Sequence, residues 1–334
     1  MYDIQSFSSL LQAPSVMFPA SAPMPLLNGM KGRPNLKQGN LIQPEVAEQV
    51  DDTNAHASDL VHQLVVLAAP ILATRQTVSP LVVTLGFPSN TYHTYKESAS
   101  AQLMGKHVVE LSNNDAEIDE VEIVEINIAR VEVLPMIVSC MIALRKGPDQ
   151  VSGSFAVLSL GFGTVETGLS TDNGVVTSAT SSIPGLHRAV NLVRSQLEKD
   201  YDVRLDNLQQ LDEAFQEGYI YINSKLIDLR AIRKQALETY YEEVVSPALQ
   251  SVLNDKSLQI AKRLYLCGGG AYYADLIACF TAEFATKAAV HVVDKPELVA
   301  SKGYLLNSLR FATDALEQAV GLDMGAIATR VATF

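Results

Sequence analysis

The stretch Val320-Gly-Leu-Asp-Met-Gly-Ala-Ile-Ala-Thr-Arg-Val-Ala-Thr-Phe334 reads as a strand, a tight glycine turn and a second strand. Val320, Leu322 and Met324 make a short apolar run suited to a buried central strand. Ile327, Thr329, Val331 and Thr333 then alternate with Ala328, Arg330 and Ala332, the period of two that a sheet requires. Asp323 stands at the turn, with Gly325 two residues on. Such a turn can offer backbone N–H groups to phosphate oxygens, while the carboxylate holds a magnesium-bound water. Aspartate and glycine are also ordinary turn residues, so in isolation a plain hairpin with a polar turn is the favoured reading of the segment. The rest of the chain decides between these readings.

A second strand–turn–strand unit lies at Ser159-Leu-Gly-Phe-Gly-Thr-Val-Glu-Thr167. Gly161 and Gly163 permit close backbone approach to phosphate around Phe162, and Thr164 adds a hydroxyl donor. A third segment, Leu264-Tyr-Leu-Cys-Gly-Gly-Gly-Ala-Tyr-Tyr273, runs an apolar strand into Gly268, Gly269 and Gly270. Three glycines leave room for a ribose and an α-phosphate against the backbone, and a helix opening after Gly270 would favour an anion.

At 334 residues the chain is long enough for two domains. Residues 1–150 with 313–334 read as one domain, with a small outlying subdomain near 20–50, and 151–312 as the other. In the first, Tyr2 to Phe7 and Ser15 to Phe18 read as strands, and Pro14 to Pro44 as loops and short strands. Ala57 to Thr74 has helical apolar spacing, and Leu81 to Leu85 is a buried-strand pattern. Ile118 to Val133 suggests two alternating strands, followed by a helix over Pro135 to Leu144. In the second, strands at Phe155–Leu160, Val165–Ser170 and Gly174–Ser181 precede a helix from Pro184 to Lys199. Tyr219–Ile222 and Lys225–Ile227 form a hairpin, and Asp228 caps a long helix. A strand at Arg263–Cys267, a helix after Gly270, a strand at Val290–Val293 and a helix from Glu297 complete the unit. Two three-strand sets, each followed by helices, suggest a structural duplication.

The Asp323–Gly325–Arg330 hairpin resembles the first phosphate loop of the actin and heat-shock-chaperone ATPase superfamily, aspartate-any-glycine followed by a basic residue. Ser159–Thr164 is similar to that superfamily's second phosphate loop, and Leu264–Tyr273 to its adenosine motif. Leu85-Gly-Phe-Pro88, Val16-Met-Phe-Pro19, Ile183-Pro-Gly-Leu186 and Ala300-Ser-Lys-Gly-Tyr304 resemble segments of plasmid-segregating bacterial actins (the ParM type) and their archaeal relatives. In that superfamily the first phosphate hairpin comes first; here it comes last. The resemblance therefore implies an α/β, two-domain actin-like (ribonuclease-H-like) fold, circularly permuted.

The same resemblance implies ATP or GTP with Mg2+ as ligands, the choice of base remaining open, and filament formation with further copies of the chain. It implies a cytoskeletal or plasmid-segregating role, with a DNA-binding adaptor as a possible partner. Asp323 would orient the metal through water, with Ser159 as the second catalytic position. Gly325, Ala326, Arg330, Gly161, Phe162, Gly163 and Thr164 would surround the phosphates. Gly268, Gly269, Gly270, Arg233 and Lys234 would border the nucleoside, although solvent is the commoner surrounding for the last two. Two departures bear on turnover. Ser159 stands where the loop usually has aspartate, and Met136 where relatives often place a glutamate or glutamine that positions the attacking water. Hydrolysis is accordingly expected to be slow, and Ser159→Asp to speed it. Glu132 or Glu166 could compensate, but a solvated strand face is the reading favoured for each. A non-polymerising nucleotide-dependent scaffold and a sugar-kinase-like phosphotransferase are the alternatives; the latter has no persuasive substrate base.

Composition bounds these readings. A formal charge of −12 argues against direct nucleic-acid binding, which needs basic stripes. No apolar run approaches the ~20 residues that span a bilayer, and no signal peptide is apparent. The three cysteines, Cys140, Cys267 and Cys279, have no paired or metal-ligand spacing, which suits a reducing, cytoplasmic setting. The six histidines show no helical pair suited to a metal, and the acidic run Asp115 to Glu125 reads as a solvated strand face.

Overall fold

The computed structural model describes residues 3–8, 33–35, 80–113, 120–202, 205, 208–222, 224–312 and 315–334. The expected helix at 57–74, the subdomain near 20–50, the segments 14–44 and 16–19, and residues 115–119 of the acidic run lie outside the described residues, apart from a short strand at 33–35. Two compact units are present, Met1–Gln150 with Ala300–Phe334, and Val151–Val299.

In chain order the first unit opens with β1 (Asp3–Ser8), β2 (Arg33–Asn35), β3 (Leu81–Phe87), α1 (Tyr92–Leu103), β4 (Gly105–Asn113), β5 (Glu120–Pro135) and α2 (Met136–Lys146). All seven residues of β3 are buried, as its continuous apolar run demands of a central strand. The two strands expected over 118–133 are one strand, β5, because no glycine or proline interrupts its alternation before Pro135. Its antiparallel partner is β4, whose mixed composition carries no strand signal.

The second unit contains β6 (Phe155–Leu160), β7 (Thr164–Thr171), β8 (Gly174–Pro184), α3 (His187–Tyr201), α4 (Leu208–Glu217), β9 (Tyr219–Ile222), β10 (Lys225–Asp228) and α5 (Arg230–Tyr240). A π-helical turn (Tyr241–Val245) joins α5 to α6 (Ser246–Val252); α7 (Asp255–Ala261), β11 (Arg263–Cys267), α8 (Ala274–Phe284) and β12 (Ala289–Val292) follow. Asp228 accepts a hydrogen bond from the Arg230 amide at 2.9 Å, which anchors the start of α5. The chain then enters α9 (Val299–Ser308), β13 (Ala319–Met324) and β14 (Ala328–Thr333).

The two sheets repeat one arrangement. The first unit's sheet runs β1-β14-β13-β3-β5-β4-β2, and the second unit's runs β12-β11-β6-β7-β8. In the first, β13, β3 and β5 are parallel, while β14 and β1 follow β13 antiparallel. In the second, β6, β11 and β12 are parallel, while β7 and β8 follow β6 antiparallel. Hairpin β13–β14 thus corresponds to β6–β7, and β1 to β8.

Residues 300–312, assigned from sequence to the second domain, pack with the first unit. Glycine accounts for this. A Cβ at Gly321 of β13 would strike the Leu305 amide and the Ser301 carbonyl of α9, and one at Gly303 would strike the Ser139 carbonyl of α2. Hydrogen at these positions lets α9 lie against both. The contact is pinned by Ser308 Oγ, 2.7 Å from both Val320 O and Thr84 Oγ1. Leu305 joins Val82, Ala312, Ala319 and Ala332 in a core beneath the sheet. Leu81, Val83, Leu85 and Phe87 pack with Ala99 and Leu103 of α1 in a second core.

Candidate functional site

Each unit contains a glycine hairpin, and the two hairpins share one backbone design. In the first, Asp323 faces Arg330 and Met324 faces Thr329. In the second, Ser159 faces Glu166 and Leu160 faces Val165. Gly325 N donates to Ala328 O at 3.0 Å, and Gly161 N donates to Thr164 O at the same distance. A Cβ at Gly325 would lie 2.7 Å from Ala328 O, and one at Gly161 2.6 Å from Thr164 O. Both glycines are therefore fixed by the same close approach of the returning strand.

Asp323 is buried at the end of β13. Arg330 Nη1 stands 3.7 Å from its Oδ2. Burial pushes the Asp323 carboxyl above its ordinary range, and Arg330 pulls it part of the way back. Arg330 Nε is itself buried without a hydrogen-bond partner. A carboxylate so placed is held by a neighbouring cation and is spared full solvation, a state that suits charge-assisted contact with a further ligand.

The second hairpin is clamped from one side. Gly185 N donates to Gly163 O at 2.9 Å, Leu186 N to Gly161 O at 3.1 Å, and His187 N to Phe162 O at 3.0 Å. The His187 ring Nδ1 also lies 3.1 Å from Phe162 O. A Cβ at Gly185 would meet the Phe162 and Gly161 carbonyls, so only glycine admits this clamp. With three carbonyls turned toward 185–187, the turn's amides at Phe162 and Gly163 take no backbone partner among the described residues. That polarity, carbonyls occupied and amides available, is what an anion-binding turn requires. It also explains why α3 begins at His187 rather than at Pro184. Gly185 lies in the family-like segment Ile183–Leu186, but no sequence pattern marks it or His187 as a clamp residue; His187 is buried, with its ring Nδ1 on Phe162 O.

Gly268, Gly269 and Gly270 lie at the end of β11. Gly268 has φ +81° and ψ 162°, and it donates its amide to Pro296 O at 2.7 Å. A single 3-10 turn (Gly269–Tyr272) follows, and the α-helix starts only at Ala274. The helix expected directly after Gly270 is thus displaced by one short turn. Gly269 is exposed, and a Cβ there would meet nothing within 4 Å.

Arg233 and Lys234 lie on α5. Arg233 Nη1 donates to the Phe215 and Gln216 carbonyls at 2.7 and 2.8 Å, tying the last turn of α4 to α5. Its guanidinium lies 5.6 Å from the Tyr273 ring centroid. Lys234 is exposed and pairs with Glu238 at 3.8 Å. Nearby on α4, burial pushes the Asp212 carboxyl up to about 6 against the opposing pull of its hydrogen bond from Gln216. Burial also raises the Tyr273 hydroxyl, and Asp212 adds to that rise.

Of the two glutamates read as solvated, Glu132 is partly exposed and pairs with Arg130 at 2.8 Å. Glu166 is not solvated: its relative exposure is 0%. β7 is an internal strand with six consecutive buried residues, so alternation along it separates one buried face from another. Met136 opens α2 directly after Pro135. Among the described residues no group of three or more His, Cys, Asp or Glu side chains is placed to hold a metal. A closed protein cage is therefore a poor fit. Asp323 and Glu166 are the buried acids of the two hairpins; magnesium usually keeps several waters and takes only one or two carboxylates. No helix among the described residues is long and apolar enough to cross a membrane, and Cys140, Cys267 and Cys279 are free thiols.

No protein-family model matches the sequence, and no curated protein matches it. Solved structures do. The archaeal actin homologue Ta0583 superposes with a TM-score of 0.60 at 18% identity, covering 77% of each chain; it has also been solved in complex with ADP. The 15-stranded ParM filament from Clostridium botulinum gives 0.61 at 14% identity, covering 76% of this chain and 74% of that one. MreB 5 of Spiroplasma citri, bound to AMPPNP, gives 0.58 at 12% identity, covering 77% of each chain. At such identities the likeness establishes the fold, and the fold is actin-like.

Proposed function

We propose that this chain is a nucleotide-binding, filament-forming actin-like protein that hydrolyses its nucleotide slowly. The observation that carries the reading is the pair of matching glycine hairpins, one in each unit, with Asp323 and Ser159 at equivalent places. The archaeal homologue with ADP, the MreB with AMPPNP and the ParM filament support it by likeness of fold.

In this reading the phosphates are met by Gly325, Ala326 and Arg330 of one hairpin and by Gly161, Phe162, Gly163 and Thr164 of the other. Magnesium supplies charge neutralisation of the phosphates when bound, and Asp323 is the residue that orients it through water. Gly268, Gly269 and Gly270 leave space for the nucleoside, with Arg233 and Lys234 toward its base or ribose. Arg233 is largely committed to the α4 carbonyls, so it would act through the Tyr273 ring side. Ser159 and Met136 give the attacking water fewer charged or polar partners than the family pattern offers. Loss of one transition-state stabiliser costs on the order of 10²–10³-fold in rate.

We also read the chain as a circular permutant, and the element order supports this. In the second unit the hairpin β6–β7 precedes its third strand β8. In the first unit the third strand β1 precedes its hairpin β13–β14 by most of the chain, yet pairs with it from Asp3↔Thr333 to Ser8↔Ala328.

Calorimetry with MgATP and MgGTP, followed by sedimentation and electron microscopy with each, tests the reading. Tight binding and nucleotide-dependent filaments are expected. Binding without assembly across salt and protein concentration would favour a nucleotide-dependent scaffold. Absence of binding to either nucleotide would remove the proposal.

A further inference from the structure

Of the three carbonyls clamped in the 161–163 turn, Gly161 O and Gly163 O each take one main-chain donor, whereas Phe162 O takes two, both from His187. The His187 amide lies 3.0 Å from Phe162 O and the ring Nδ1 3.1 Å from it. A carbonyl oxygen only accepts, so Nδ1 must carry a proton. The two side chains also pack on each other, with ring centroids 6.3 Å apart, and both are buried. Residue 162 is thus gripped twice by one histidine, through its carbonyl and through its ring.

In a trans peptide the C=O of one residue and the N–H of the next point opposite ways. Phe162 O therefore shares a rigid plane with the Gly163 amide, and Gly161 O with the Phe162 amide. Holding these carbonyls at 185–187 aims both amides away from the clamp, where neither has a backbone partner among the described residues. The 162–163 peptide is the soft element of the turn. Glycine follows it, so a flip of that plane meets little steric resistance. A flip would turn the Gly163 amide away from an anion and bring a carbonyl oxygen in its place. With the His187 ring present, it breaks two hydrogen bonds rather than one.

We propose that the His187 imidazole is the positioning residue of the second hairpin: its Nδ1–H locks the 162–163 peptide so that phosphate meets a preformed Gly163 amide. This rests on the nucleotide-binding reading above. The ring acts through the Phe162 carbonyl and needs no contact with the ligand, so its burial is part of the device. It strengthens binding by removing the cost of ordering the turn. A ring that merely filled space against Phe162 would do none of this. The two roles rank substitutions in opposite orders, because one depends on the donor and the other on the volume.

Calorimetry with MgATP and MgGTP compares full-length wild type, His187→Phe and His187→Asn, each first checked for a cooperative melt. Phenylalanine keeps the ring and loses the donor. Asparagine loses the ring but keeps an N–H donor at the same place along the side chain as Nδ1. His187→Phe is expected to bind about three- to tenfold more weakly than wild type, the worth of one hydrogen bond. His187→Asn is expected to bind more tightly than His187→Phe, although the cavity it opens lowers its melting temperature. A His187→Phe protein that binds as tightly as wild type, or as tightly as His187→Asn, overturns this inference and leaves the nucleotide reading standing. Wild type that binds neither nucleotide overturns both. Should His187→Phe not fold, NMR of wild type carrying 15N-labelled histidine decides, with His187 assigned by the signal missing from His187→Asn. A protonated Nδ1 whose resonance moves on saturation with the nucleotide that binds supports the inference; a bare Nδ1, or one that does not move, overturns it.

Discussion

The three consecutive glycines at the end of β11 make a graded experiment, because each is glycine for a different reason. Gly268 has φ +81° and ψ 162°, and a Cβ there would lie 2.6 Å from Leu160 O and 2.7 Å from its backbone N and C atoms. That backbone region belongs almost entirely to glycine and costs a side chain roughly 1–3 kcal/mol. The clash adds about 1–3 kcal/mol, since the obstacle is a β6 backbone that cannot rotate aside. Restricting the unfolded chain returns only ~0.4–1 kcal/mol. Gly268→Ala should therefore lose about 1–5 kcal/mol, a large part of a domain's margin. A Cβ at Gly270 would meet Leu160 Cβ and Leu186 Cδ1 at 2.8 Å, contacts that side-chain movement partly relieves, so Gly270→Ala should lose less. Gly269 is exposed with open space around it, and Gly269→Ala should leave stability within about 0.5 kcal/mol. Urea unfolding followed by circular dichroism gives the ranking, and calorimetry of the stable variants with MgATP and MgGTP gives the functional half. Gly269→Val should fold normally and bind nucleotide at least tenfold more weakly. If Gly269→Val unfolds as readily as Gly268→Ala, the local geometry is wrong. If it is stable and binds as wild type does, the nucleoside does not lie against these glycines.

Asp212 makes a pH prediction. Burial pushes its carboxyl up to about 6, above the ordinary aspartate range, so the folded state holds the proton more tightly. The stability this confers is complete below about pH 4 and is lost as pH rises through 6, amounting to about 3 kcal/mol by neutrality. Asp212→Asn should raise the melting temperature at pH 7.5 and have no effect below pH 4; an equal gain at both would refute the assignment. Ser159→Asp, which sequence alone presents as accelerating, should instead lower the melting temperature, since it sets a second carboxylate directly across from Glu166. An unchanged or higher melting temperature would mean that the two side chains do not share a face. Gly303→Ala should destabilise the protein by about 3 kcal/mol or more, because the Cβ strikes the Ser139 backbone carbonyl rather than a side chain. A loss under 1 kcal/mol in chemical denaturation would show that α9 does not lie against α2 as described.

β3 could be read from Leu81–Phe87 because a central parallel strand buries both faces and its apolar run has no other use. Asp323, Gly325 and the Ser159–Thr164 turn carry a local signal, a polar residue with glycine two positions on, and the close approach to Ala328 O and Thr164 O gives those glycines a structural reason. β4 was invisible because strand pairing is non-local and its own composition carries no signal. The place of residues 300–312 depends on backbone contact at Gly303 and Gly321, which no pattern within the helix announces. Glu166 failed for a sharper reason. Alternation distinguishes water from core only where one face of the sheet is wet, and β7 has neighbours on both edges and burial on both faces. On such a strand a charged residue is the informative anomaly, and the rule that assigns it to solvent removes the one signal it carries. The register supplies what the pattern cannot. Once β6–β7 is matched with β13–β14, Glu166 falls opposite the place where the other hairpin keeps its aspartate.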